Sequence, residues 1–259
     1  MKLILGPCAI ESRDHAKMMC EKLKEITSDF EVDFYYKSSY DKANRTSGTS
    51  ARGVGIEEGA DILQELRETF NIKTLTDVHE TWQCERLKSS ADVLQIPAFL
   101  CRQTDLLLAA AQAVHSVNIK KGQFLAPWDM KNVVEKIPDN DVWITERGSC
   151  FGYNTLVVDF RGLVSMREFK CPIIFDATHS VQQPGGKGTS SGGQREFIVP
   201  LARAAAAVGV DGIFMEVHDN PELAISDSAT QLPLNALKSV LSSIMNINND
   251  QLLRTDYFH

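Results

Sequence analysis

Apolar positions along this chain follow two alternating patterns. Short apolar or β-branched runs occupy residues 2–5, 32–37, 73–76, 93–96, 117–120, 142–145, 172–175 and 212–216. Longer amphipathic stretches lie between them. In residues 56–70, Ile56, Leu63, Leu66 and Phe70 share one side of a helical period. Residues 105–114, 193–208 and 233–245 carry comparable helix patterns. Strands that alternate with helices of this length predict βαβ units and a parallel sheet.

The strand count is eight, each with room for a following helix. Eight such units in 259 residues predict an α/β protein, a closed (β/α)8 TIM barrel forming a single domain over residues 1–259. An open doubly wound sheet is the alternative. That fold usually carries a Gly-rich phosphate turn after its first strand, whereas the first run here leads into Gly6-Pro7-Cys8. Gly53-x-Gly55-x-x-x-Gly59 has one residue too many and follows a loop, and Gly186-Lys187 precedes Gly188 instead of Ser or Thr.

Composition adds exclusions. Hydrophobic residues make up 43% and charged residues 24%, values of an ordinary globular chain. The six cysteines form no CxxC pair, which predicts a reduced, cytosolic protein. Residues 1–5 are too short for a secretory apolar core, and no run approaches the ~18 to 20 apolar residues of a membrane span. A net charge of −7 argues against broad nucleic-acid binding.

The distribution of charge changes that picture. Two long loops, 38–55 and 180–193, follow strands and belong on the C-terminal face of a barrel. Around the first, Lys37, Lys42, Arg45 and Arg52 stand against Asp41 alone, a net +3, with hydroxyls from Thr46, Ser47, Thr49 and Ser50. Such a set suits phosphate. Lys120, Lys121 and Arg147 add cations from two further strand ends. A basic cleft of this kind attracts polyanions even on an acidic protein. The second loop, with Pro184-Gly185-Gly186-Lys187-Gly188, reads as a mobile lid.

Polar residues also end the other strands: Cys8, Asp77, His79, Gln95, Glu146, Asp176, His179, Glu216 and His218. Surface turns have no reason to supply one after every strand. Barrel closure makes the first, seventh and eighth strands neighbours, so Cys8, His179 and Glu216 can converge, with Asp227 as a fourth ligand. A thiolate, an imidazole and carboxylates suit zinc or ferrous iron. A buried Cys8 and a hydrogen-bonded His179 without metal is the competing reading, since His79-Glu80-x-x-Gln83 is not an HExxH motif.

Several longer motifs narrow the reading. They are Gly6-Pro7-Cys8-Ala9-Ile10-Glu11-Ser12, Lys37-Ser38-Ser39-Tyr40-Asp41-Lys42-Ala43-Asn44-Arg45 and Thr76-Asp77-Val78-His79-Glu80. Gln95 to Asp105, Asn118 to Gln123, Phe175 to Gln182 and Ser191-Gly192-Gly193 continue them in order. With these motifs the chain resembles the 3-deoxy-D-manno-octulosonate 8-phosphate synthase family over nearly all its length. The resemblance implies a barrel, commonly a homotetramer, that condenses phosphoenolpyruvate with D-arabinose 5-phosphate for lipopolysaccharide synthesis. It also implies small phosphorylated substrates and no nucleic-acid or membrane partner.

This family has a metal-independent branch with Asn in place of the first-strand Cys, so Cys8 resembles the metal-dependent branch. The implied ligands are Cys8, His179, Glu216 and Asp227, holding zinc or iron, with manganese or cobalt able to substitute. Lys37, Lys42, Lys120 and Arg147, with Gln95 nearby, match the phosphoenolpyruvate site. Asn44, Arg45 and Thr46 match the sugar-phosphate site, and Arg102 is expected to reach that phosphate in a neighbouring subunit. Asp77 matches a group that orients the sugar hydroxyls, and Gln182 shares the binding motif of His179. Lys42, His179 and Asp227 are the implied catalytic groups. Position 46 is Ser in many relatives, and Gly48-Thr49-Ser50-Ala51 departs from the pattern. The nearest alternative is 3-deoxy-D-arabino-heptulosonate 7-phosphate synthase, which takes erythrose 4-phosphate. Its usual Lys-Pro-Arg motif is Lys42-Ala43-Asn44-Arg45 here. A third reading is a non-catalytic barrel that binds metal or phosphate.

Overall fold

The computed structural model describes residues 1–44, 47–186, 188 and 191–248. Among the described residues, eight parallel strands close into one ring: β1 (Lys2–Gly6), β2 (Asp33–Lys37), β3 (Lys73–Asp77), β4 (Val93–Ile96), β5 (Ser116–Lys120), β6 (Asp141–Glu146), β7 (Ile173–Asp176) and β8 (Gly212–His218). The sheet closes because β8 pairs with β1 in register from Lys2↔Gly212 to Gly6↔Glu216. Every predicted strand is present, with ends shifted by two residues at most.

Among the described residues, eight α-helices surround the ring. They are α1 (Arg13–Thr27), α2 (Ile56–Phe70), α3 (Thr81–Leu87), α4 (Thr104–Ala113), α5 (Met130–Val134), α6 (Phe160–Met166), α7 (Ile198–Val208) and α8 (Leu234–Asn248). Helix α1 starts at Ser12, whose hydroxyl accepts the His15 amide at 3.2 Å, and it buries Ala16, Met19, Cys20 and Leu23 along one stripe. No helix is long and apolar enough to cross a membrane among the described residues.

The helix predicted over 193–208 begins later, at Ile198. Gly192–Gly193 pairs antiparallel with Gln182–Gln183 instead, and a 3-10 turn covers Arg195–Phe197. Glycine is needed there, because a Cβ on Gly193 would lie 2.1 Å from Cγ2 of Thr230. The loop over 180–193 is therefore zipped at its base into a short hairpin.

Strand alternation builds two layers inside the barrel. Ile4, Tyr35, Leu75, Val93, Trp143, Ile174 and Phe214 form a buried apolar cluster. Two residues further along their strands, on the same face, come Lys37, Asp77, Gln95, Thr145, Asp176 and Glu216. The apolar layer is the floor, and the polar layer above it is the site. On β1 the upper position is Gly6, where a Cβ would sit 2.0 Å from the Lys37 carbonyl oxygen. The larger core lies outside the ring, between strands and helices.

Candidate active site

A cavity of about 350 Å³ opens at the C-terminal mouth of the barrel. Lys37, Lys42, Asn44, Asp77, Gln95, Lys120, Arg147, His179, Gln182 and Asp227 line it. This volume fits small phosphorylated molecules, which occupy pockets of roughly 300 Å³ and above.

Its wall between β1, β7 and β8 gathers four metal-type donors. Donor atoms of Cys8, Glu216 and Asp227 lie within 4.8 Å of one another. Nε2 of His179 lies 3.6 Å from Oε1 of Glu216 and 3.6 Å from Oδ2 of Asp227. Sγ of Cys8 donates to Oδ2 of Asp227 at 3.3 Å. Burial, and then the Glu216 charge, push the Cys8 thiol well above its usual range. Oε2 of Glu216 is buried without a hydrogen-bond partner among the described residues. A divalent cation would satisfy that oxygen, offset the clustered carboxylates and displace the thiol proton. The donor set therefore fits such an ion.

Three neighbours hold these donors. Asp227 has a left-handed backbone (φ 50°), and its carbonyl accepts the amides of Thr230 and Gln231 at 3.0 and 3.1 Å. The Gln231 side chain accepts the Cys8 amide at 3.2 Å and donates to the Ser226 carbonyl at 2.8 Å, tying the two ligand-bearing segments together. Oδ2 of Asp176 lies 2.7 Å from Nδ1 of His179, and Asp176 also accepts from Lys120. Burial would raise the Asp176 carboxyl, yet His179 and Lys120 hold it well below the carboxylate range. Burial would lower the His179 imidazole, and Asp176 outweighs it, so that group is raised.

The cations form the opposite half. Nζ of Lys37 lies 3.4 Å from Oε1 of Glu216, 3.6 Å from Oδ2 of Asp77 and 3.1 Å from Oγ of Ser39. Nζ of Lys42 donates to the same Ser39 oxygen at 3.0 Å, while Ser39 donates to Asp77. Burial would lower the Lys42 ammonium, but Cys8, Glu216 and Asp77 raise it overall. Burial would raise Asp77, and Lys37 and Lys42 hold it far down. Lys120 stacks 3.9 Å from the Phe214 ring centroid, and burial leaves it below its usual value despite Asp176. Arg147 donates to Oε1 of Gln182 at 2.6 Å, whereas its Nη1 is buried with no partner among the described residues. An oxyanion in the cavity would supply an acceptor for this nitrogen.

Arg102 stands apart. It is exposed in the turn after β4, and it is not among the residues lining this cavity. Arg45 and Thr46 lie outside the described residues. The sequence reading missed Ser39 and Gln231 and gave Asp176 no role. Asp176 carried a signal, as a carboxylate at a strand end three residues before His179. Gln231 carried none, since its partners are backbone groups far away in sequence.

A model of the DAHP synthetase I family matches residues 1–252. The chain belongs to the DAHP synthetase I family. Within it, one relative is a Cyanothece sp. protein named 2-dehydro-3-deoxyphosphooctonate aldolase. It is 54% identical over 248 residues, covering 95% of this chain and 91% of that protein. A Bartonella bacilliformis protein of the same name is 55% identical over 251 residues, covering 96% of this chain and 89% of its own. One from Caulobacter vibrioides, also so named, is 54% identical, covering 95% and 86%. The segment shared with the DAHP synthetase I family contains every residue of the site above.

Proposed function

We propose that this chain condenses phosphoenolpyruvate with D-arabinose 5-phosphate and water, giving 3-deoxy-D-manno-octulosonate 8-phosphate and inorganic phosphate. The observation that carries this reading is Arg147. Its Nη1 is buried without a partner among the described residues, in a cavity that also holds Lys37, Lys42 and Lys120. That arrangement calls for a polyanion, and the relatives' name, 2-dehydro-3-deoxyphosphooctonate aldolase, supplies aldol chemistry on a phosphorylated acid.

The principal task is to seat two polyanions that repel each other. Lys120 and Arg147, with Lys37, offset the charge of phosphoenolpyruvate, and Gln95 fixes its orientation. Asn44, with Arg45 and Thr46, receives the sugar phosphate, and Asp77 orients the sugar hydroxyls. C3 of phosphoenolpyruvate then bonds to C1 of the aldehyde. The carbonyl π-electrons move to the C1 oxygen, which takes a proton from Lys42. Water, oriented by His179 and Asp227, adds at C2 and gives up a proton that restores the Lys42 ammonium. The resulting hemiketal phosphate expels inorganic phosphate by C–O cleavage. Cys8, His179, Glu216 and Asp227 would hold a divalent ion, zinc or iron with manganese or cobalt as substitutes, which would supply Lewis acidity toward the aldehyde or the water.

Exposed aromatic residues suit an interface between subunits, here of a homotetramer in which Arg102 would reach a neighbouring site. Phe99, Phe124, Trp128, Phe151 and Tyr153 project from the loops after β4, β5 and β6, and Tyr153 is 97% exposed. Reduced thiols and phosphorylated substrates both favour the cytosol.

The test is phosphate release from phosphoenolpyruvate, which should require arabinose 5-phosphate. Equal or faster turnover with erythrose 4-phosphate would transfer the assignment to the heptulosonate reaction. Chelation should abolish activity and added divalent metal should restore it.

A further inference from the structure

We propose that Glu11, His15 and His218 form a second divalent-metal site, of the zinc-like borderline class, between the first turn of α1 and the end of β8. The site shares no residue with the cluster around Cys8 and does not depend on the reaction assigned above.

One donor atom from each of the three residues lies within 4.8 Å of the other two. Oε1 of Glu11 is 3.1 Å from Nε2 of His218. The two imidazoles stack with centroids 4.8 Å apart and planes tilted by 37°. His218 is buried, while Glu11 and His15 are partly exposed, so the cluster is walled on one side and reachable from the other.

Asp219 makes this more than a set of ion pairs. Its Oδ1 lies 2.9 Å from Nε2 of His15 and 3.1 Å from Nδ1 of His218. A metal-bound histidine usually gives its second N–H to a carboxylate, which fixes the ring and raises its basicity. Here one carboxylate serves both rings. What remains for a metal is Nε2 of His218, facing Glu11, and Nδ1 of His15. The latter is buried without a hydrogen-bond partner among the described residues. The Asn220 amide also points at Nδ1 of His218, at 3.0 Å. Metal capture at Nε2 selects the tautomer that donates to Asp219 instead.

Two imidazoles and a carboxylate suit zinc, cobalt, nickel or copper better than magnesium or calcium. Zinc bonds of about 2.1 Å place donors roughly 3.4 Å apart, so Glu11 and His15 must draw inward, which their exposure permits. Oε1 of Glu11 also accepts the Ile225 amide at 3.1 Å. Ile225 lies two residues before Asp227 in the chain. An ion here therefore clips the segment after β1 to the loop that carries Asp227.

The test is cobalt titration of the full chain after chelator treatment and dialysis. Two equivalents should bind. One should show a thiolate-to-cobalt charge-transfer band and vanish in Cys8→Ala. The other should lack that band, persist in Cys8→Ala, and weaken at least tenfold in His15→Gln and Glu11→Gln. A single equivalent abolished by Cys8→Ala overturns the proposal. So does unchanged stoichiometry and affinity in both His15→Gln and Glu11→Gln. A single equivalent that survives Cys8→Ala and is lost in His15→Gln upholds this site and removes the Cys8 one. Thermal melting of each variant checks folding, and if His15→Gln misfolds, Glu11→Gln decides.

Discussion

Oδ2 of Asp176 lies 2.7 Å from Nδ1 of His179, and the same carboxylate accepts a hydrogen bond from Lys120. One buried group thus aims an imidazole at the Cys8–Glu216–Asp227 cluster and anchors a cation of the oxyanion pocket. Asp176→Asn keeps the shape and removes the charge. Divalent-metal affinity should fall about 10- to 100-fold, as for other carboxylates behind metal-bound histidines. KM for phosphoenolpyruvate should rise as well, because Lys120 loses its counter-charge. Metal titration together with steady-state kinetics reads both effects. An isolated change in kcat would separate Asp176 from both halves of the site.

Gln231 is expected to act through position alone. Gln231→Leu leaves the buried Cys8 amide without its acceptor, at a cost of about 1–3 kcal/mol. It also removes the bond from Gln231 to the Ser226 carbonyl beside Asp227. The melting temperature should drop, and the stabilisation gained on adding metal should shrink. Thermal melts with and without zinc measure the difference.

Arg147→Lys tests the shape of the anion pocket. A lysine retains the charge but loses the planar fork, and it cannot reach Gln182 and a substrate oxygen together. KM for phosphoenolpyruvate should increase roughly tenfold or more while KM for the sugar phosphate changes little. Initial rates with each substrate varied in turn decide this.

Stability should decline in alkaline solution for a reason unrelated to catalysis. Burial pushes the Cys20 thiol up to about 12 and the Cys84 thiol up to about 11, from the usual 9.0. Both stay neutral in the folded protein, while in the unfolded chain they ionise near 9. Their stabilisation is whole below that value and drains as pH rises through 11 and 12. The urea midpoint should therefore fall between pH 9 and 11. Cys20→Ala should flatten that slope while costing stability at pH 8.

The barrel was legible because its strands are buried on both faces, and such runs stand out as apolar blocks such as residues 93–96 and 212–216. Helix α2 was legible to the residue, since its inward stripe repeats over fifteen positions. The start of α7 was not. Apolar pattern cannot reveal that Gly192–Gly193 zips onto Gln182–Gln183, because that pairing rests on backbone bonds and on the absence of a Cβ. In the site, Cys8, His179, Glu216 and Asp227 could be placed together because closure of a ring fixes which strand ends are neighbours. Ser39 and Gln231 escaped notice, as hydroxyl and amide side chains occur everywhere and acquire meaning only from what they touch. Ser39 touches Lys37, Lys42 and Asp77 at once.

The apolar floor formed by Ile4, Tyr35, Leu75, Val93, Trp143, Ile174 and Phe214 leaves the barrel with no rear exit. Reactants, products and protons must all pass through one opening. Two phosphorylated molecules cannot cross it independently once one of them sits above the other. If the two substrates sit at different depths, the deeper one is expected to enter first and its product fragment to leave last. A plugged cylinder thus favours one sequence of arrival and departure, which would show in which product competes with which substrate.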